Sequence, residues 1–215
     1  MPKNAMSREL HFDGKAGKLQ GLLEAADESR IVASAVVCHP HPLHGGTMQN
    51  KVAHMLARSF VSQNFVTLRF NFRGVEKSDG TFDDGKGELE DVFAAMELVA
   101  ARYPGLPLWL GGFSFGAAMA VLAAAQRQVA GLVSIAPAVS RLVASLPAQP
   151  DCPWLILQGD QDELVNVDET IAWVNDLEPG PELIILDGAE HFFHGKLVLL
   201  KNAVEAFIQK HLDRG

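Results

Sequence analysis

Strand-length apolar runs alternate with helix-like segments along this 215-residue chain, which predicts an α/β fold with a mostly parallel central sheet and helices on both faces. An apolar content of 48% is ample for the core of such a sheet. No internal repeat, low-complexity tract or linker interrupts the alternation, so residues 1–215 read as a single domain.

The first two runs, residues 8–12 and 19–25, are separated only by Asp13-Gly14-Lys15-Ala16-Gly17, a turn that makes them an antiparallel hairpin at a sheet edge. A strand is expected over 34–38, a helix over 50–63, a strand over 65–72 and a helix over 88–102. The apolar run 106–112 ends in glycine and opens directly into an alanine-rich helical pattern over 115–128. Strands follow at 131–136 and 154–158, then a helix at 168–176, a strand at 182–186 and a last helix at 196–211. Only residues 140–152 connect the sixth apolar run to the next strand. Two packed helices would need on the order of 25 residues, so no cap domain fits there. Leu142, Val143 and Leu146 have the spacing of one short helix instead.

The most informative segment is Gly112-Phe113-Ser114-Phe115-Gly116, at the junction of the fifth strand and its helix. A serine on so sharp a strand-to-helix turn must adopt a strained backbone, and flanking glycines remove the Cβ atoms that would clash. Its hydroxyl then stands clear of the sheet beside a helix N-terminus, where negative charge is favoured. Alone, the pattern could be a glycine-rich turn whose serine caps the helix. Downstream, however, Gly159-Asp160-Gln161-Asp162 follows one strand, and Asp187-Gly188-Ala189-Glu190-His191-Phe192-Phe193-His194 follows the last. Serine, acid and histidine in that order supply a nucleophile, an acid that orients the base, and the base. Either acid could serve, although Asp160, nearer the strand end, sits where a carboxylate more often caps local backbone N–H groups.

With these motifs the chain resembles a small, single-domain α/β-hydrolase, similar to the dienelactone-hydrolase-like and cutinase-like serine esterases of bacteria. The resemblance covers most of the chain through four blocks: residues 38–46, residues 71–78, the Ser114 turn, and the Asp162 and His191 loops. It implies a serine hydrolase cleaving carboxylic esters through an acyl-enzyme, with Ser114 as nucleophile, His191 as base and then acid, and Asp162 as orienter. The family spacing G-x-x-D-x-x-V selects Asp162, and G-A-x-H selects His191, leaving His194 as a cap or rim residue. Thioesterase or small-peptidase activity on the same triad is the alternative, with a non-catalytic binding module a more distant one. Glu76 stands where the family has glycine, so the loop holding Arg73 is expected to be built differently.

Cys38, His39, His41 and His44 raise the question of a metal site. A strand over 33–38 sends alternate side chains to opposite faces, and Pro40 and Pro42 stiffen the loop beyond it, which opposes convergence on one ion. An oxyanion hole is the better reading. Phe115 N–H is one donor, and because prolines supply no N–H, the second comes from His41 or its immediate neighbours. Resemblance to hydrolases with an H-G-x-P loop implies His41. No cofactor or metal is expected. Phe113, Phe192 and Phe193 are candidate substrate walls of an open site, alongside Phe115. The acidic stretch 79–90 resembles a calcium loop only faintly, since Asp84 occupies the position that needs glycine.

With 18 basic and 26 acidic residues, the formal charge of −8 opposes nucleic acid and anionic membranes as partners and suits a small neutral ester. No signal-type start or membrane-length apolar run is evident, so a cytoplasmic location is expected, with Cys38 and Cys152 as reduced thiols. The sequence carries no statement of oligomeric state.

Overall fold

The computed structural model of the chain describes residues 6–146 and 148–212, and of residues 143–145 the backbone alone. Its centre is one eight-stranded sheet in the order β1-β2-β4-β3-β5-β6-β7-β8. The strands are β1 (Met6–Gly14), β2 (Gly17–Ala25), β3 (Ala33–Cys38), β4 (Phe65–Phe70), β5 (Leu108–Phe113), β6 (Gly131–Ile135), β7 (Trp154–Gly159) and β8 (Glu182–Leu186). The edge hairpin of β1 and β2 pairs antiparallel, β2 joins β4 antiparallel, and every other pairing is parallel.

Among the described residues six α-helices cover the sheet: α1 (Lys51–Ser62), α2 (Lys86–Arg102), α3 (Phe115–Ala124), α4 (Val139–Ser145), α5 (Val167–Asn175) and α6 (Leu197–Leu212). Strand alternation divides the core between two faces. Ala35 and Val37 point toward α1 and α6, in a cluster with Phe60, Trp109, Phe113 and Phe207. Val36 and Cys38 point the other way, into a cluster that includes Val92 of α2, Ala118 and Val121 of α3, and Leu142 of α4.

Where boundaries differ from the sequence reading, local chemistry accounts for it. Helix α2 begins at Lys86 because the buried Glu88 carboxylate accepts from the N–H groups of Asp83 and Gly85, closing the turn two residues early. Strand β5 begins at Leu108, after Pro107, which has no N–H and contributes only its carbonyl, to Ser34 N–H. Helix α3 stops at Ala124, where the N–H groups of Gln126 and Arg127 both turn back to the Ala123 carbonyl.

The chain leaves β3 outward to β4 and then returns to β5 on the other side of β3. Ligands in open parallel sheets bind at such a reversal, beyond the C-terminal strand ends. Ser114 follows β5 there, and His41 follows β3. Between β6 and β7 the seven-residue α4 is the only helix among the described residues, so the site carries no cap. Among the described residues no helix is long and apolar enough to cross a membrane.

Candidate active site

Ser114 sits at φ 55° and ψ −116°, between the end of β5 and the first turn of α3. A non-glycine residue there is strained, and the strain persists because the surroundings over-determine it. Ser114 N–H donates to Ile135 O at 2.8 Å, and Ser114 O accepts from Ala118 N–H at 3.1 Å. Neither neighbouring glycine could carry a side chain. A Cβ at Gly112 would run into the Gly116 carbonyl, and a Cβ at Gly116 into the carbonyl oxygens of Cys38 and His39. The serine side chain makes no capping bond to its own helix, so the helix-cap reading fails.

The hydroxyl is turned instead to His191, whose Nε2 lies 3.1 Å from Ser114 Oγ. On the far side of the ring, His191 Nδ1 is 2.8 Å from Asp162 Oδ2. Asp162, not Asp160, is thus the acid that lies against the ring; Asp160 is exposed. Asp162 Oδ1 accepts from Leu164 N–H at 2.9 Å and Val165 N–H at 2.8 Å, while Oδ2 also accepts from Gln158 Nε2 at 2.8 Å. Burial pushes this carboxyl pKa up, but the bonds from His191 and the two amides outweigh it, so the net shift is downward. An ionised acceptor facing Nδ1 fixes the tautomer with the proton on Nδ1 and a lone pair on Nε2, aimed at the serine. The histidine loop is pinned by His191 N–H to Glu163 Oε2 at 3.2 Å, and by Gln161 N–H to Ala189 O at 3.1 Å.

Ser114 opens into a cavity of about 590 Å³, lined also by Phe115, His41, His44, Asp84 and residues of two further segments. One comprises Ala138, Val139, Ser140 and Arg141 at the start of α4; the other comprises Leu164, Val165, Asn166 and Glu169 around the start of α5. Arg141 stands over the Phe115 ring at 5.2 Å and is tethered to Asp84 through its carbonyl at 2.9 Å and carboxylate at 3.2 Å. A second depression, of about 550 Å³, lies at the opposite strand ends around Trp154 and Pro181, far from the serine and histidine.

Two expected substrate walls are corrected. Phe113 is fully buried in the α1 and α6 face, where its ring supports the His191 imidazole at 4.9 Å. Phe193 turns inward from a left-handed backbone, φ 54°, and is also fully buried. Phe192 is exposed and packs edge-on against His191 at 5.2 Å, but it lies outside the cavity lining. The walls that sequence reading missed, Leu164, Val165, Asn166 and Glu169, directly follow Asp162; proximity to the acid was the only available signal. His194 bonds Glu190 on the surface at 3.1 Å and does not line the cavity either.

The proline-histidine loop separates its side chains by role. Buried His39 uses both nitrogens: Nδ1 lies 2.6 Å from Pro40 O, and Nε2 accepts from Phe72 N–H at 3.1 Å. Burial pulls its pKa down to about 4, against the raising effect of the Pro40 carbonyl. Cys38 is buried and its thiol pKa is pushed well up, whereas burial with the Asp151 charge pushes Cys152 up to about 12. His41 and His44 stack at 4.3 Å beside the cavity. His41 O accepts from His44 and Gly46, and its ring lies 4.9 Å from that of Phe115. Glu76 keeps a positive φ, 51°, despite not being glycine. Arg73 is bound to buried Asp91 at 2.7 Å and lies outside the cavity lining. In the 79–90 stretch the acids diverge: Glu88 caps α2, and Asp84 meets Arg141.

A family model described as serine aminopeptidase, S33, matches residues 34–150. A solved α/β serine hydrolase without lid from Xanthomonas campestris is 39% identical, with a TM-score of 0.90 over 98% of this chain and 96% of its own. An uncharacterized protein of Rickettsia prowazekii (strain Madrid E) is 34% identical over 210 residues, 93% of this chain and 88% of that protein. Monoglyceride lipase of Homo sapiens is 32% identical over 101 residues, 45% of this chain and 33% of the lipase.

Proposed function

Because the chain belongs to the α/β-hydrolase superfamily and is a hydrolase of its serine type, we propose that it cleaves carboxylic esters of small molecules through an acyl-enzyme. The observation that carries this reading is the continuous relay from Ser114 Oγ through His191 to Asp162, at 3.1 Å and 2.8 Å, opening into the cavity. His191 Nε2 takes the serine proton as Oγ attacks the ester carbonyl carbon, and Asp162 stabilises the resulting imidazolium. The oxyanion develops beside the N-terminus of α3, where Phe115 N–H, with His41 N–H from the facing loop, would hold it. His191 then protonates the departing alkoxide, and water repeats the sequence to release the acid. Side chains and water balance every proton in this cycle.

A second reading, hydrolysis of an amide next to a free amino terminus, draws on the description of the matched family model and on Glu169 in the cavity lining, an anion that could meet an ammonium. The partial match to monoglyceride lipase and the short apolar wall of Val139, Leu164 and Val165 favour the ester. The test pairs p-nitrophenyl esters with aminoacyl p-nitroanilides on wild type and Ser114→Ala. Turnover of the esters, lost with labelling by a fluorophosphonate in the variant, is expected. Ester turnover by Ser114→Ala at the wild-type rate would sink the reading, and faster anilide cleavage would favour the peptidase.

A further inference from the structure

Gln158, at the end of β7, is fully buried and belongs to none of the groups that the reaction above employs. Its Nε2 donates to Asp162 Oδ2 at 2.8 Å, the same oxygen that meets His191 Nδ1. The other groups around Nε2 are the carbonyl oxygens of Val165 at 3.3 Å and Gly159 at 3.5 Å. All three neighbours accept, so the orientation of the amide is chemically determined: a flipped Gln158 would press its oxygen against three acceptors. Among the described residues its Oε1 has no donor, so the amide contacts the protein through its donating end.

We propose that Gln158 is a positioning residue of the triad, acting through Asp162. The two backbone N–H groups on Oδ1 hold one end of the carboxylate, and Gln158 fixes the other, so Oδ2 presents one direction to His191. Donation from Gln158 also spreads charge away from Oδ2. Without it, the full charge on Oδ2 would hold an imidazolium at His191 more tightly.

This inference rests on the serine-hydrolase reading, so its experiment uses two probes. Gln158→Met keeps the length and removes the donor; Gln158→Glu places a second carboxylate beside Asp162. With a p-nitrophenyl ester, Gln158→Met should lose kcat roughly tenfold at near-constant KM, and the acidic limb of its pH profile should move up. Gln158→Glu should lose more and move further. Fluorophosphonate labelling of Ser114, measured in parallel, should slow in the same order. A wild type that fails to label overturns the parent reading. A wild type that labels, beside a folded Gln158→Met with unchanged kcat and unmoved acidic limb, overturns the role of Gln158 alone. Proton NMR of the wild type remains decisive if the variants do not fold: a Gln158 side-chain amide proton must shift across the acidic limb of the pH profile, and its failure to do so refutes the contact.

Discussion

Asp162→Asn removes one charge and exchanges one oxygen for an NH₂, and the structure dictates which oxygen. The N–H groups of Leu164 and Val165, at 2.9 and 2.8 Å, demand an acceptor, so the amide oxygen must take the place of Oδ1. The new NH₂ then faces Gln158 Nε2 and His191 Nδ1, each formerly 2.8 Å from Oδ2. Gln158 is left donor against donor, and His191 is relieved only by moving its own proton to Nε2. That proton points at Ser114 Oγ, 3.1 Å away, and blocks the step in which the hydroxyl proton must be accepted. Wrong-tautomer variants of such triads lose kcat by about 10⁴, equivalent to about 5.4 kcal/mol of barrier. We expect a loss of about 10³ to 10⁴ here. KM should change little, because Asp162 does not line the cavity. The assay is p-nitrophenyl ester hydrolysis across pH, with circular dichroism to confirm folding and Asp160→Asn as control. An Asp162→Asn enzyme retaining more than about a tenth of wild-type kcat would refute the tautomer argument.

Two more expectations concern pH and access. His39, buried and neutral with its pKa pulled down to about 4 from 6.5, binds fewer protons folded than unfolded between those values. Its stabilising contribution is therefore complete above 6.5 and is lost as pH falls toward 4, by at most about 3 kcal/mol. The urea midpoint should fall over that window and flatten in His39→Gln, and an equal slope in both proteins would contradict this. Without a cap over the cavity there is no closed state for a lipid interface to release, and each methylene left in water forfeits about 0.8 kcal/mol of binding. Rates on short-chain esters should rise smoothly through the solubility limit; an abrupt jump there, or a strong preference for long chains, would reveal a covered acyl site.

Ser114 and His191 were legible because their chemistry constrains the backbone as well as the side chain. Glycine was required on both sides of the serine, and the histidine had to lie just past a strand. The acid was harder. The physical argument against Asp160 was that an acid near a strand end caps backbone N–H groups, yet Asp162 is the residue that does so, through Oδ1, while Oδ2 serves His191. One carboxylate performs both tasks, so capping and orienting were never alternatives. Gln158 gave no signal, because its role depends on how the loop after β7 folds back over the strand end. Glu76 shows the converse: a residue other than glycine holds a left-handed backbone there, φ 51°.

Phe113 turned away from the cavity for a reason that strand geometry contains. Trp109, Gly111 and Phe113 alternate onto one face of β5, and Trp109 lies in the α1 and α6 core, so Phe113 must point there too. Phe113, at the end of a buried strand, is thus committed to packing, whereas Phe115 lines the cavity together with elements that cross above the sheet. In this chain those are α4 and the segment running from Leu164 into α5. Both directly follow central strands: α4 follows β6, and the Leu164 segment follows β7. Packing supports His191 from below, through the Phe113 ring, while Val139, Arg141, Leu164 and Glu169 line the cavity above the sheet.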